Sequence, residues 1–493
     1  MIAARHITHN VLWNFAGHFL PLFVGLLAFP VLLDGLGVER FGLLGIAWML
    51  VGYFSLFDLG LSRAVTYIVA ERVGSDDQNA AKRVASTALL LMWGFGGGAA
   101  FLVWGLAPWL AGSVLAMPAG LRQEAVDAFR MLSLSVPFVI HTAGLRGILE
   151  AHQAFRVASY IRSALGAGIF LGPLVILPFS ASLVHCMAVL AMIRVAGWVA
   201  HRRAVEQRMA LGYGLRGFDR QWIKPLFSFG SWMTVTNLIG PLMVYLDRFL
   251  IGAVVSVGAV SYYIIPYELV TRLWIFPTAI AGVLFPFFSA HCNLNVEKTA
   301  LFLNRGGTYA FIILFPLLMI VSYLAPEILG LWLGEEYALG STQILRWLSA
   351  GVLTGSIAQM SFALIQGTGR SDWTAKLHMA EAIPYWALLL WLMDRYGVVG
   401  AAGAWFVRTT ADALALIWGA SRLGPSFQEG IHSMMMVTLP SAGIVLFSLF
   451  LESIVTRLIV LIVALVIFGI YTWFKLISNG EREWLRTMVF NWR

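Results

Sequence analysis

Apolar stretches long enough to cross a membrane recur along the whole chain, and this pattern constrains the fold more than any other feature. A membrane helix needs about 20 mostly apolar residues. Of the 493 residues, 59% are hydrophobic and 12% are charged, whereas a soluble domain carries about 25% charged residues. The alternating pattern of a membrane barrel is not seen. We therefore predict an all-α polytopic membrane protein, whose helices satisfy their own backbone hydrogen bonds within the bilayer.

The apolar stretches predict about fourteen transmembrane helices. Their approximate limits are 11–33, 41–68, 84–107, 131–151, 158–178, 182–200, 226–252, 257–288, 306–326, 342–366, 379–396, 398–418, 434–450 and 454–476. The first stretch is longer than the core of a signal peptide and lacks a clear cleavage site, so we expect it to remain as the first span.

The orientation follows from a basic loop near the middle of the chain. The segment HRRAVEQRMALGYGLRGFDRQWIK carries many arginines and few acids. Because Lys and Arg near span ends are retained in the cytoplasm, this loop is predicted to be cytoplasmic. Counting spans from it places both termini in the cytoplasm. The net charge of +8 is then explained by topology, and no nucleic-acid partner is predicted.

The basic loop also divides the chain into parts, as in transporters built from two related bundles. We predict an N-terminal helical lobe of about six spans, a basic cytoplasmic linker, a C-terminal helical lobe of about six spans, and two extra spans with a cytoplasmic tail. These parts cover residues 1–205, 206–225, 226–420 and 421–493. The two extra spans are almost uncharged, so they are either a groove for a long prenyl tail or peripheral helices that face lipid.

Three segments resemble a known transporter family. They are PLFSFGSWMTVTNLIGPLMVYLDRFLIGAVVSVGAVSYY at 225–263, LLDGLGVERFGLLGIAWMLVGYFSLFDLGLSRAV with its Asp-Leu-Gly-Leu element at 58–61, and GILEAHQAF at 147–155. Together they resemble O-antigen (Wzx-type) polysaccharide flippases of the multidrug/oligosaccharidyl-lipid/polysaccharide exporter superfamily. The resemblance extends from about residue 8 to residue 420.

This resemblance implies two six-helix lobes around a central cavity, with a helix pair appended. It also implies that the protein flips an undecaprenyl-pyrophosphate-linked oligosaccharide across the bacterial inner membrane by alternating access. The expected partners are this lipid-linked substrate, membrane lipid, and polysaccharide polymerase and assembly proteins. No cofactor is expected. Coupling to an H⁺ or Na⁺ gradient is expected, since no GxxxxGK[ST] phosphate-binding loop for ATP occurs.

Arginines inside the predicted spans are candidate ligands for the pyrophosphate. A charge at mid-membrane depth costs roughly 3 kcal/mol on insertion scales, so such residues by default mark a polar pathway. The candidates for a cationic cavity are Arg63, Arg146, Arg272 and Arg408. Arginine suits this role because its planar fork binds phosphate through two hydrogen bonds and stays charged.

Each arginine also has a structural interpretation. Arg63 can extend to the cytoplasmic headgroups, and Arg146 can pair with Glu150 four residues later. The same spacing allows Arg272 to pair with Glu268, and Arg408 with an aspartate, in self-neutralised pairs that pack one helix against another. The sequence does not separate these alternatives.

Acidic residues inside spans are candidates for a coupling ion or proton. They are Asp58, Asp247, Glu268, Glu381 and Asp412. Asp58 can instead cap or tether a helix. Asp247 with Glu381 would form an oxygen-rich site for Na⁺ or a proton relay, and the resemblance makes Thr409 and Thr410 conceivable companions. No metal site and no catalytic residue is predicted.

Three other functions compete with the flippase. A multidrug exporter of the same superfamily carries cationic drugs, so its cavity should be acidic or aromatic. A membrane glycosyltransferase, polymerase or ligase generally needs a long extracytoplasmic loop with catalytic side chains, whereas the longest predicted outside connection spans only about residues 108–130. A scaffold in a polysaccharide assembly complex would need no glycan-sized cavity.

Overall fold

The computed structural model describes most of the chain and places it in two compact units. The described residues are 2–54, 58, 60–209, 217–228, 246–291, 295–478 and 480–483. Unit 1 is Met1–Ile264 and unit 2 is Ile265–Arg493. The division lies within one helix, so the predicted limits of the lobes and of the linker at 206–225 stay a prediction. All regular elements in the described ranges are helices, as predicted.

Unit 1 contains seven named helices and the start of an eighth. They are α1 (Ile2–Phe54), α2 (Leu61–Gly74), α3 (Gln78–Trp109), α4 (Ala119–Ser133), α5 (Val136–Ala151), α6 (Phe155–Ile176), α7 (Leu183–Glu206) and α8 (Val257–Thr271), of which α8 continues into unit 2. Residues 246–254 are also helical.

Unit 2 contains the remaining helices. They are α9 (Ile275–His291), α10 (Val296–Tyr323), α11 (Ala325–Leu333), α12 (Glu335–Gly367), α13 (Ser371–Ser421), α14 (Pro425–Phe447) and α15 (Ile454–Tyr471). Counted over both units, eight helical stretches of the described residues are long and apolar enough to cross a membrane, of which one joins α4 with α5 and another joins α8 with α9. The larger number of about fourteen spans stays a prediction.

Two long helices each join two predicted spans at a glycine. α1 covers the first span and the start of the second, with a kink at Gly37, where φ is 75°. α13 covers the eleventh and twelfth spans, with a kink at Gly397, where φ is 56°. Glycine is favoured at both places because a Cβ atom makes positive φ angles costly. The loops predicted at these positions are therefore sharp bends between helices.

The second predicted span, 41–68, is not one continuous helix. α1 ends at Phe54 and α2 begins at Leu61, and residues 55–57 and 59 lie outside the described part. Gly60 precedes α2 with a φ of 73°. The predicted span is therefore interrupted at Gly60, which hydropathy does not detect because it measures only apolar length.

Small residues allow α5 to pack closely at the centre of unit 1. A Cβ atom at Gly144 would lie 2.4 Å from the sulfur of Met92, and one at Gly147 would lie 2.6 Å from Oγ1 of Thr66. Small residues at helix interfaces let backbones approach within membrane proteins. This packing holds α5 against α2 and α3, and it fixes the direction of the side chains on the opposite face of α5.

In unit 2, α12 is the central helix and is almost wholly buried. The indole ring of Trp405, itself fully buried, would lie 2.5 Å from a Cβ atom at Gly351. α9, α10, α11, α13 and α14 all pack against α12. This arrangement places the first and second halves of α13 next to a rigid central helix.

Candidate functional site

A basic cavity lies within unit 1, enclosed by α1, α5, α6 and α7. Its volume is about 300 Å³. Its polar lining comes from residues of three helices: Thr142 and Arg146 of α5, Arg162 of α6, and Arg194 and His201 of α7. Among the described residues that line it there is no carboxylate. We call this space the basic cavity.

Arg146 lines the basic cavity, where the sequence analysis expected a cavity arginine. It also approaches Glu150, with 3.6 Å between Nε and Oε1, and both side chains stay partly exposed. An exposed pair at this spacing returns at most about 1 kcal/mol. Arg146 is therefore only weakly paired with Glu150 and is available to a ligand in the cavity.

Two further arginines of the cavity were missed by the sequence analysis. Nη2 of Arg162 donates to Oγ of Ser159 at 3.1 Å. Arg194 is partly buried and has no hydrogen-bond or ion-pair partner among the residues that the structure describes. Both arginines interrupt apolar stretches, in SYIRSALGAG and LAMIRVAGWV, and that interruption was the available signal.

Two of the other predicted cavity arginines, Arg63 and Arg272, and the acids near them are placed differently. Arg63 lies exposed on α2 and lines neither of the two polar cavities described here. Asp58 caps α2, because its carboxylate accepts hydrogen bonds from the backbone N–H groups of Gly60 at 2.9 Å and Ser62 at 3.2 Å. Arg272 forms the predicted pair with Glu268, with 2.5 Å between Nη2 and Oε2.

A second polar cluster lies in unit 2 and joins the two halves of α13. Nε2 of His378 lies 3.3 Å from Oδ1 of Asp412, and both carboxylate oxygens of Glu381 are buried without a hydrogen-bond partner among the described residues. A cavity of about 210 Å³ opens beside them. We call His378, Glu381, Arg408 and Asp412 the titratable cluster.

The expected pair between Arg408 and Asp412 is not formed. The guanidinium of Arg408 lies over the ring of Tyr385, 5.3 Å from its centroid, and the carboxylate of Asp412 approaches His378 instead. The four-residue spacing shows only that the two side chains can meet on one helix face. It could not include a histidine from the preceding half of α13, so His378 was missed.

Asp247 is fully buried and accepts a hydrogen bond from the hydroxyl of Tyr263 at 2.7 Å. It belongs to unit 1, whereas Glu381 belongs to unit 2, so the predicted joint cation site stays a prediction. Thr409 donates to the carbonyls of its own helix, and Thr410 donates to Oγ1 of Thr354 at 3.1 Å.

The last two predicted spans form an apolar groove with α10. Its volume is about 710 Å³, and its lining is almost entirely apolar. Four phenylalanines from α10, α14 and α15 line it: Phe311, Phe315, Phe447 and Phe468. These two spans and α10 therefore enclose a groove of the kind that a long apolar chain could occupy. Such a groove was one of the two alternatives for these spans. We call it the apolar groove.

Ionic contacts fasten α15 at both ends of the apolar groove. Near the start of α15, Arg457 binds Glu327 through two hydrogen bonds, of 2.7 and 2.8 Å. After its end, Glu481 accepts hydrogen bonds from Tyr309, from Arg305 at 3.0 Å and from Ser478. Partial burial would raise the pKa of Glu481, but these partners outweigh that effect and lower it to about 2.

Comparison with known proteins identifies the family. Residues 36–342 match the family described as "Polysaccharide biosynthesis protein". A protein of Shigella flexneri named "Putative O-antigen transporter" is 32% identical over 420 residues, which cover 85% of this chain and 98% of that protein.

Solved structures show the same fold. The lipid II flippase MurJ in an inward closed conformation has a TM-score of 0.73 at 14% identity, covering 96% of this chain and all of that one. An inward-facing multidrug resistance MATE transporter of the MOP superfamily has a TM-score of 0.69 at 16% identity, covering 86% of this chain and 99% of that one. The predicted all-α polytopic fold is thereby confirmed.

These proteins are transporters and flippases rather than enzymes. The chain therefore belongs to the polysaccharide biosynthesis protein family, and it is a multi-pass membrane transporter of the multidrug/oligosaccharidyl-lipid/polysaccharide exporter superfamily.

Proposed function

We propose that this transporter flips an undecaprenyl-pyrophosphate-linked oligosaccharide from the cytoplasmic to the periplasmic leaflet of the bacterial inner membrane. One observation carries the proposal: three arginines line the basic cavity without a carboxylate in its described lining. A cation inside a membrane protein costs several kcal/mol unless it is compensated. A pyrophosphate diester supplies two negative charges and several acceptor oxygens for these guanidinium groups.

The size of the basic cavity limits what it can hold. Pockets for small molecules usually measure about 300–1,000 Å³, and the basic cavity lies at the lower end of that range, at about 300 Å³. It can therefore take the pyrophosphate, but not a whole oligosaccharide. We assign it the charged centre of the substrate, and Arg194 is its strongest anion-binding residue because Arg194 has no described partner to give up.

The apolar groove is the proposed site for the prenyl tail. Its lining is nearly free of polar atoms, so an isoprenoid chain would lose little solvation on entering it from the bilayer. The two ionic contacts that fasten α15, Arg457 with Glu327 and Glu481 with Arg305, keep the groove walls in place. Headgroup and tail would then be bound by different parts of the chain.

The titratable cluster is the proposed site of coupling to H⁺ or Na⁺. Uptake of an H⁺ or a Na⁺ by this cluster would change the charge next to Arg408. Alternating access would be driven by that change of charge. Asp58, Asp247 and Glu268 remain weaker candidates, because each already accepts hydrogen bonds from its own surroundings.

Export of cationic drugs is a second candidate function. One observation favours it: the cavity beside the titratable cluster has an acid, Asp412, next to the aromatic rings of Trp274 and Phe362. Acidic and aromatic side chains suit a cation. The small volume of this cavity, about 210 Å³, favours an ion over a drug molecule, so we place this function second.

Complementation tests the two functions against each other. In cells that lack their native O-antigen flippase, the wild-type protein should restore surface polysaccharide, whereas Arg146→Ala, Arg162→Ala and Arg194→Ala should each reduce it at matched expression. Arg122→Ala, an exposed arginine of α4 outside the cavity, should leave it unchanged. Polysaccharide export by all three cavity variants at the wild-type level, or drug resistance without any rescue, would overturn the flippase proposal.

A further inference from the structure

Among the described residues that line the basic cavity, His201 is the one whose charge can change near neutral pH. Its tautomer follows from a single contact. Nδ1 lies 2.8 Å from the backbone carbonyl oxygen of Gly197. A carbonyl oxygen only accepts hydrogen bonds, so Nδ1 carries a proton. In the neutral imidazole, Nε2 is then a bare acceptor.

Nε2 is the ring nitrogen of His201 that remains available to a ligand in the basic cavity. His201 lines the cavity, and Nδ1 is engaged by the carbonyl of its own helix. No hydrogen bond to Nε2 is present among the described residues. The imidazole is buried among protein atoms, being only 2% exposed. Its fixed orientation means that it cannot turn a donor toward the cavity without breaking the contact to Gly197.

The surroundings of His201 disfavour a positive charge while the cavity is empty. Arg146 approaches from α5 together with Glu150, Arg162 from α6, and Arg194 from α7 itself. α1 contributes only Val51 and Gly52. Because like charges repel, the arginines favour the neutral imidazole.

The two remaining neighbours do not change this balance. On α7, Arg202 is engaged by Glu206, with 3.0 Å between Nε and Oε1. α4 also packs against α7, and its Glu124 binds the backbone of Leu183, at the first turn of α7. Neither acid lines the basic cavity.

An anion in the cavity reverses this preference. The bare lone pair of Nε2 would face phosphate oxygens and repel them, whereas a protonated Nε2 would donate a charge-assisted hydrogen bond. The negative charge of the anion also offsets the arginines, so the imidazolium is no longer opposed. Binding an anion that does not itself titrate must therefore be accompanied by a proton from solution.

We propose that binding of a pyrophosphate diester in the basic cavity is coupled to uptake of one proton by Nε2 of His201. The proposal rests on the proposed function of the cavity as the pyrophosphate site, and it adds a proton-linked residue to that site. Anion affinity is then greatest at low pH and weakens as pH rises, by up to about tenfold for each pH unit where the proton is taken up.

The test is calorimetry on the purified full-length protein in detergent. The probe is P1,P2-dimethyl pyrophosphate, a diester whose acid groups are ionised throughout the neutral range. Titrations at one pH in two buffers with different ionisation enthalpies give the number of protons taken up per anion bound. A second arm uses a pyrophosphate diester with a farnesyl chain, which distinguishes a lipid headgroup from a free anion as the preferred form.

The wild type should take up close to one proton per anion below neutral pH. His201→Gln, whose amide can donate but cannot titrate, should bind with no proton uptake and with little dependence on pH. His185→Gln, a histidine outside the cavity that contacts Ser180, should behave like the wild type. A monodisperse chromatographic profile for each variant shows that it is folded.

The outcomes separate this inference from the proposed function. Binding by the wild type without proton uptake overturns the role of His201 and leaves the anion site intact, as does unchanged uptake in His201→Gln. Absence of binding of both probes overturns the anion site itself, and the inference with it. Binding of the farnesyl probe alone, with one proton, supports the inference for a lipid headgroup.

Discussion

The ion pair between Arg457 and Glu327 should be far costlier to break than to replace. Arg457 is only 5% exposed and Glu327 is 28% exposed. Arg457 also donates to the backbone carbonyl of Tyr323 at 2.8 Å. Removing one partner of a buried pair leaves an uncompensated charge, which costs about 3–5 kcal/mol, whereas apolar replacement of both partners is often neutral.

Glu327→Gln should therefore lower the free energy of unfolding of unit 2 by about 3 kcal/mol, the lower end of that range because Glu327 keeps some contact with solvent. Arg457→Met should be costly as well, since it strands the carboxylate. The double variant Glu327→Leu with Arg457→Met should cost less than either single one, because two apolar side chains can pack where the pair was.

The pH dependence gives a second check on the same pair. Burial would raise the pKa of Glu327, but the hydrogen bonds and charge of Arg457 outweigh it and lower the pKa below its ordinary value. A carboxyl with a lowered pKa stabilises the fold above its unfolded pKa of about 4.3, and this contribution is lost as pH falls through the folded pKa. The difference between wild type and Glu327→Gln should therefore shrink below about pH 4.

Thermal unfolding of the four proteins in detergent, followed by tryptophan fluorescence at a fixed detergent concentration, measures these differences. If the loss in the double variant equals the sum of the two single losses, the reasoning about uncompensated charge is refuted. A pH-independent difference would refute the assignment of the effect to the Glu327 carboxylate.

Four further changes have defined expected outcomes. Gly144→Leu should reduce thermal stability by about 1–3 kcal/mol through overpacking, because a Cβ atom there meets a methionine sulfur at 2.4 Å, whereas Gly98→Leu, with nothing within 4 Å, should not. Gly397→Ala should lower the unfolding midpoint, since a φ of 56° with a ψ of −138° is a backbone conformation that costs an L-residue about 1–3 kcal/mol. Glu481→Gln should expose the C-terminal segment to limited proteolysis, equally across about pH 5–8, because its pKa of about 2 keeps the wild-type contact intact there. His378→Gln should abolish the dependence of transport on an ion gradient, measured by flipping in proteoliposomes with and without an imposed gradient.

Hydropathy was sufficient for the fold class, because each span must provide its own apolar length. It also predicted two apolar helices after residue 421, and these line the apolar groove together with α10. It could not find the break before Leu61, since the cause is the backbone angle of Gly60 and not a loss of apolar residues.

The candidate site was predicted only in part, since the direction of a side chain depends on packing. Arg146 lines the basic cavity, and Glu268 pairs with Arg272 as the spacing predicted. Arg194, inside the sixth predicted span, was missed although it interrupts an apolar stretch. His378 was missed because its partner, Asp412, lies in the other half of α13, beyond any local spacing rule.

Flipping in proteoliposomes is the measurement that tests the central claim most directly. The purified protein is reconstituted with a fluorescent undecaprenyl-pyrophosphate-linked oligosaccharide, and the fraction accessible to a membrane-impermeant quencher is followed with time. We predict flipping by the wild type and by Arg122→Ala, with a rate at least about tenfold lower for Arg194→Ala, equivalent to about 1.4 kcal/mol. Flipping by Arg194→Ala at the wild-type rate would contradict the assignment of the basic cavity as the pyrophosphate site.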